Sequence, residues 1–244
     1  MKITGKIKKR IDKINEGTVF KYQQLGITPE EYPAATKAIE RLIARKAIKR
    51  ISTGIFYKPR ETVFGEIRPG EKELLKPYLF KQNKRIGYIT GTSLYNQMGL
   101  TTQIPKIIKF ASREKRLSTR IGDMQIKSVK SYVDVDSSNY FFLEILDTLK
   151  DFKRIPDMDK SMAIKNIMAK LMGLRPAHKQ KLVKYALKYP PRARALLGAL
   201  LNTMKSQNDA SLLKKIKQGL NPLTIYDLGI SKGILSTASN WNIK

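Results

Sequence analysis

The chain has no cysteine, one histidine, one tryptophan and a marked shortage of acids. Without cysteine there are no disulfides and no thiolate metal sites. A lone histidine, His178, excludes a multi-histidine metal centre. It follows Arg175-Pro176-Ala177 at a helix start, where a surface position is expected. No stretch approaches the roughly 18 consecutive apolar residues of a membrane span. The first residues, MKITGKIKKRIDKINEG, are basic but contain no apolar core and no small-residue cleavage site, so no signal peptide is read and a cytoplasmic protein is expected.

The shortage of acids has the largest consequence. Twenty Asp and Glu face 48 Lys and Arg, a net charge of +28 and a pI near 10.2. Such a field draws polyanions, nucleic acid first and an anionic membrane surface second, without conferring sequence preference. The 244 residues, 41% apolar and 28% charged, suffice for one large domain or two modest ones with a real core. No internal repeat or low-complexity tract is present.

The first sixty residues read as one unit. Ile3, Ile7, Ile11 and Ile14 recur at helical spacing, and Asn15-Glu16-Gly17 stops that helix. Val19-Phe20 is extended, and Tyr22 to Leu25 is a short helix ended by Gly26. Thr28 and Glu31 fit a capped turn, which leaves Pro33 at the first position of a helix running to Lys46. Its buried stripe is Ala35, Ile39, Leu42 and Ile43, continued by Ala47, while Thr36, Lys37, Glu40, Arg41 and Arg45 face outward. Ser52-Thr53-Gly54 then suits a three-residue hairpin loop, with Gly54 supplying a positive φ. The strands it joins carry Lys49, Arg50 and Lys58.

Helix, short helix, turn, helix and hairpin is the order of a winged helix-turn-helix. A helix of about 13 residues spans roughly 20 Å and fits a B-DNA major groove. Residues 1–60 contain 15 Lys or Arg and 5 Asp or Glu, so the segment carries the field a DNA-binding module needs. The alternative is a non-enzymatic adaptor that uses the same helix-and-hairpin unit on protein or RNA.

Beyond Pro59-Arg60 a linker is expected, then a helix over 72–80 and another over 92–98 closed by Gly99. Strands are expected over 106–111 and, more loosely, over 124–133. From Asn139 the pattern is helical, over 141–152, 162–173, 178–189, 192–205 and 211–219. Lys179, Lys181, Lys184 and Lys188 line one of these helices, and Lys214, Lys215 and Lys217 another. Trp241 is placed to dock the tail.

Two blocks carry a family resemblance. Gly87-Tyr88-Ile89-Thr90-Gly91-Thr92-Ser93-Leu94-Tyr95-Asn96, followed by Gly99-Leu100-Thr101-Thr102-Gln103-Ile104-Pro105, resembles the signature of AbiE-type antitoxins of bacterial type IV toxin–antitoxin systems. More closely it resembles a Bacteroidetes-like branch known only as a domain of unknown function. Ala38 to Leu42 with Ile48 to Ile51 and Gly54 to Pro59 resembles that family's winged N-terminus, and the similarity extends to about residue 156.

The resemblance implies an autorepressor that binds inverted repeats in its own promoter. It also implies an antitoxin domain that counteracts a nucleotidyltransferase-like toxin, in the setting of phage abortive infection. On the matching positions it implies a recognition face of Thr36, Lys37, Glu40 and Arg41 and a wing of Lys49, Arg50, Ser52, Thr53 and Lys58. In that arrangement Arg41 can read a guanine through a bidentate pair, while the wing lysines hold phosphate.

The residues for catalysis are not evident. Asp134-Val135-Asp136 has the Asp-x-Asp spacing of a Mg²⁺ site, but no Gly-Ser turn for a triphosphate precedes it, so solvated acids at a strand end are expected. The glycines of 87–91 lack the spacing of a phosphate loop. The expectation is therefore an α+β, mostly helical protein without enzymatic activity, cofactor or metal. Residues 1–68 form a winged helix-turn-helix, and residues 69–244 an antitoxin domain that contains strands to about 138 and is helical after. Its partners are double-stranded promoter DNA and the toxin, with no membrane.

Overall fold

The computed structural model describes residues 3–114, 116–121, 124–204 and 210–244. Two compact units emerge, Met1–Arg85 with Thr119–Met124, and Ile86–Ser118 with Gln125–Lys244. The architecture is mixed α and β, with small sheets of three, four, two and two strands and nine α-helices among the described residues. The domain boundary expected at residue 68 falls instead after Arg85. Residues 71–79 form a helix whose Leu75, Tyr78 and Leu79 are buried and which packs on the first strand, so this stretch belongs to the first core.

In the first unit, α1 (Ile3–Asp12) and α2 (Tyr32–Ala44) pack together over a sheet of β1 (Val19–Lys21), β2 (Lys49–Ser52) and β3 (Ile55–Tyr57). The sheet order is β1-β3-β2, both pairs antiparallel, so β3 is central and all three of its residues are buried. Ile7 and Ile11 of α1 meet Ala35, Ala38 and Ile39 of α2 and Phe20, Leu25, Ile48 and Phe56 in one apolar core. Leu42 and Ile43 are half-buried against this core, and Ala47 is exposed beyond α2, which stops at Ala44, short of the expected Lys46.

The early stop is a backbone feature. Lys46 takes a left-handed conformation, φ 60°, and the N–H groups of Lys46 and Ala47 return to the carbonyls of Ile43 and Leu42. This pattern normally uses glycine. Tyr32 precedes Pro33 in the helix, so Pro33 sits one position further in than expected, still within the first turn, where a missing N–H costs nothing. Between β2 and β3 the loop is two residues, Thr53-Gly54, rather than three. Gly54 has φ 73°, and pairing shifts register between Arg50 and Ser52.

The segment expected as a linker is a second hairpin, β4 (Arg60–Thr62) and β5 (Gly65–Ile67). It is followed by α3 (Glu71–Leu79) and a small hairpin of β6 (Phe80–Lys81) and β7 (Lys84–Arg85). The β6–β7 turn residues Gln82 and Asn83 both have positive φ, which matches the right-handed twist of a tight hairpin.

In the second unit, β8 (Gly87–Thr90) runs antiparallel to β9 (Ile107–Ser112), which pairs parallel with β11 (Met124–Lys130). A strand β10 (Ser118–Ile121), not expected from the sequence and counted from Thr119 on with the first unit, precedes β11. After β8 comes α4 (Thr92–Gln97). Gly99 at φ 69° and the N–H groups of Gly99 and Leu100, bonded to Asn96 and Tyr95 carbonyls, end it as its sequence predicts.

The helices α5 (Tyr140–Asp151), α6 (Lys160–Met172), α7 (Pro176–Ala186), α8 (Pro191–Thr203) and α9 (Ala210–Gln218) follow. Lys205, the expected last residue of the helix over 192–205, lies outside the described residues. Helix α8 is the centre of this array, buried from Ala195 to Leu201. Trp241 docks on it: the indole N–H donates to Asn202 Oδ1 at 3.2 Å, and the ring covers Gly198. His178 is half-buried rather than on the surface, with its ring 5.6 Å from that of Phe142. Lys179 is buried, so only Lys181, Lys184 and Lys188 of its row are exposed.

Candidate nucleic-acid interface

The exposed side of α2, continued by Arg45 just past its last residue, presents Lys37, Arg41 and Arg45 at intervals of four residues, with Glu40 beside them. Ala35, Ala38 and Ile39 bury the opposite side, so the apolar stripe fixes which way the charged face points. None of these four charged side chains makes a hydrogen bond or ion pair among the described residues. Thr36 is half-buried and donates its hydroxyl back to the Tyr32 carbonyl at 3.0 Å, which occupies its hydrogen within the helix.

The entry to α2 is held from α1. Lys6 Nζ lies 2.8 Å from both oxygens of Glu31, whose Oε2 also accepts the Thr28 N–H at 3.1 Å. The Lys6 contact, followed by that N–H, holds the Glu31 carboxyl below its usual range. Lys8 and Lys9 on α1 and Lys13 just after it remain exposed and add to the positive field.

The hairpin residues divide. Arg50 and Thr53 are exposed, with the Arg50 guanidinium 5.8 Å from the Phe56 ring centroid across the strand pair. Lys49 forms an ion pair with Glu66 of β5, and the same carboxylate accepts the Tyr57 hydroxyl at 2.5 Å. Lys49, then Tyr57, lowers the Glu66 pKa, while burial, then Glu66, pushes the Tyr57 phenol up to about 12. Ser52 shares a hydrogen bond with Tyr78 of α3. Lys58 reaches the C-terminal end of α1, donating to the Ile14 carbonyl at 3.0 Å and the Asp12 carbonyl at 3.3 Å.

The structure therefore gathers Lys37, Glu40, Arg41, Arg45, Arg50 and Thr53 as exposed groups. It gives Lys49, Ser52 and Lys58 internal partners that sequence spacing could not reveal, since those partners come from α1, α3 and β5.

Sequence reasoning missed the second hairpin. Its tip, Val63 and Phe64, is 94% and 98% exposed, and Glu66 clips its base to β2 and β3. The one available cue was Phe64-Gly65, with Gly65 at φ 99°.

The Gly-Tyr-Ile block acquires a physical role. Tyr88 and Thr90 on β8 both donate to Asp147 Oδ2, at 3.0 and 2.7 Å, and Tyr95 on α4 donates to Asp151 at 2.8 Å. Burial, then the neighbouring carboxylates, raises both Tyr88 and Tyr95 phenols well above their ordinary value. These contacts fasten the strand and helix of the block to α5. Asp134 and Asp136 are exposed in the loop before α5, not on a strand. Asp134 pairs with Arg113 at 3.2 Å and Asp136 accepts from Ser138. No cluster of three or more metal-ligating side chains occurs among the described residues, and no described helix is long and apolar enough to cross a membrane.

No curated protein matches the chain. Among solved structures, the crystal structure of the RV2827C protein from Mycobacterium tuberculosis is similar in fold. It superposes with a TM-score of 0.50 at 12% identity, over 90% of this chain and 81% of that one. Residues 6–134, more than half of the 244, match one protein family, from α1 through the first unit and the strands of the second, and the chain belongs to that Family of unknown function (DUF6088).

Proposed function

We propose that the protein is a non-enzymatic, DNA-binding antitoxin of a type IV-like toxin–antitoxin system, working in the cytoplasm. In this reading the first unit is a winged helix-turn-helix. It represses its own promoter by placing α2 in the major groove and the β2–β3 hairpin alongside. The second unit counteracts a nucleotidyltransferase-like toxin. The observation that carries the DNA-binding half is the row Lys37, Arg41 and Arg45, exposed and without internal partners on a helix long enough for the groove. The antitoxin half rests on the resemblance of the Gly87 to Pro105 block and is the subject of its own test.

Arg41 is the residue best suited to read a base, and Lys37, Arg45 and Arg50 to hold phosphates. Lys49, Ser52 and Lys58 position the hairpin through Glu66, Tyr78 and the end of α1 instead of contacting DNA. The β4–β5 tip favours a second reading, an adaptor that docks on protein, because two fully exposed apolar side chains at one turn suit a protein partner.

Gel-shift titration of the full chain on the duplex upstream of its own gene tests repression. Binding should favour that duplex over a scrambled one and weaken with a log–log salt slope of about 0.9 per phosphate contact. Equal affinity for both duplexes would remove specific repression. Co-expression with the adjacent gene tests the antitoxin role, which ends if a toxic neighbour is not rescued.

A further inference from the structure

The proposed DNA-reading face leaves most of the charge unused. Residues 86–244 hold 27 Lys and Arg against 11 Asp and Glu, an excess of 16. Residues 1–85 hold 21 against 9, an excess of 12. Within the second unit four of these cations, Lys150, Lys153, Arg154 and Arg192, line a cleft of about 390 Å³ together with Asp227 and Leu228. It lies where the end of α5, the 3₁₀ turn Phe152–Arg154, the first turn of α8 and the C-terminal loop meet.

The four cations are not equivalent. Lys150 is committed inward, 2.8 Å from Asp147 and 3.5 Å from Asp151, with its side chain only 16% exposed. Its carbonyl accepts Arg192 Nε at 2.8 Å, which fixes the Arg192 guanidinium, whose terminal nitrogens have no further partner among the described residues. Arg154 has no side-chain partner among the described residues. Lys153 pairs with Asp227, but both side chains are more than half exposed, so water competes on each side and the bridge is readily exchanged.

Arg192 sits in the first turn of the 13-residue helix α8, whose first turn holds no acid. The backbone there offers little, because Pro191 has no N–H and the N–H groups of Ala193 and Arg194 bond to the Pro190 carbonyl, so the side chains must hold the ligand. Leu228 is the only apolar lining residue among the described residues, so the cleft suits a compact polar anion better than a hydrophobic ligand. Guanidinium groups match the tetrahedral oxygens of phosphate through paired N–H donors.

We propose that this cleft is a phosphate-binding site. Arg154 and Arg192 hold non-bridging oxygens, and Lys153 exchanges Asp227 for the ligand. The inference is independent of the DNA-reading face on α2.

The test is calorimetric titration of the full chain with pyrophosphate at physiological ionic strength. Saturable binding is expected, weakened at least about tenfold by Arg154→Gln. Arg154 is exposed and its side chain has no hydrogen bond or ion pair among the described residues, so its replacement should leave the thermal midpoint unchanged. Asp227→Asn should tighten binding, because it removes the carboxylate that competes for Lys153, an effect a purely structural bridge does not produce. The double change Lys214→Gln/Lys215→Gln, at exposed positions of α9 outside the cleft, should leave affinity within about twofold. Absence of saturable binding overturns the proposal, as does an equal loss in the α9 double variant, which would reduce the effect to the general charge of the chain. Competition then identifies the source. Displacement by an unphosphorylated-end single-stranded oligonucleotide assigns the site to a nucleic-acid backbone, and displacement by ATP alone assigns it to a nucleotide.

Discussion

Thr90 Oγ1 donates to Asp147 Oδ2 at 2.7 Å inside the second unit, joining β8 to α5 across 57 positions of sequence. Tyr88 shares that oxygen, and Lys150 holds the other at 2.8 Å. Burial alone would lower the Lys150 pKa, but Asp147 and Asp151 outweigh it and the pKa is raised. Removing Asp147 would take the acceptor from the buried Thr90 hydroxyl, leave Tyr88 only the Tyr189 hydroxyl at 3.3 Å, and leave the largely buried Lys150 ammonium only Asp151 at 3.5 Å. Asp147→Ala should therefore cost about 3–5 kcal/mol, read as a lower urea midpoint. A loss under about 1 kcal/mol, typical of exposed pairs, would mean that water reaches the cluster.

Arg41 and Lys58 should separate on DNA. Arg41→Ala is expected to cost about 1–3 kcal/mol and to relax preference at one base position. Lys58→Ala should lower the thermal midpoint by loosening the hairpin from the Asp12 and Ile14 carbonyls, while leaving the salt slope of DNA binding unchanged. A smaller salt slope in Lys58→Ala would place that ammonium on a phosphate after all.

Lys46 closes α2 in a conformation that costs a residue with a side chain about 1–2 kcal/mol relative to glycine. Lys46→Gly should raise stability, by at most about 1 kcal/mol once the entropy of the unfolded glycine is counted. Chemical denaturation measures it, and a fall in stability would show that the lysine side chain makes contributions beyond the turn.

Gly198 faces the Trp241 ring so closely that a β-carbon would lie 2.3 to 2.6 Å from three ring atoms. Alanine is the better helix former, yet here the indole would have to leave. Gly198→Ala is expected to destabilise by about 1–3 kcal/mol and to change tryptophan emission, as Trp241 is the chain's only tryptophan.

Acid should release the hairpin clip. The Glu66 pKa lies below its ordinary value of 4.5 because of Lys49 and Tyr57. A lowered carboxyl pKa contributes stability that is fully present above the unfolded value and is lost as pH falls through the folded one. Below pH 4.5 the thermal midpoint of the native chain should therefore fall more steeply than that of Glu66→Gln. Parallel curves would show that the clip contributes nothing to acid stability.

Periodic segments were readable in advance. The α5 to α9 segments repeat apolar residues at helical spacing, and the Gly99 stop follows from a backbone conformation that glycine favours. The exposed face of α2 was readable for the same reason, since an apolar stripe dictates its opposite. The β4–β5 hairpin was not, because three-residue strands carrying two glutamates and an arginine have no apolar alternation, and Glu66 becomes informative only when Lys49 and Tyr57 stand beside it.

The sequence by itself determined a strongly basic chain without disulfides, the positions of its helices, and which side of α2 faces outward, because composition and 3.6-residue periodicity are local properties. Tertiary structure alone decided which cations keep their charge available. Lys37, Arg41, Arg45 and Arg154 have no internal partner among the described residues, whereas Lys49, Lys58 and Lys150 meet carboxylates or carbonyls. For Lys49 and Lys58 those groups lie on other elements of the fold, and a charge is neutralised by what lies a few ångströms away in space.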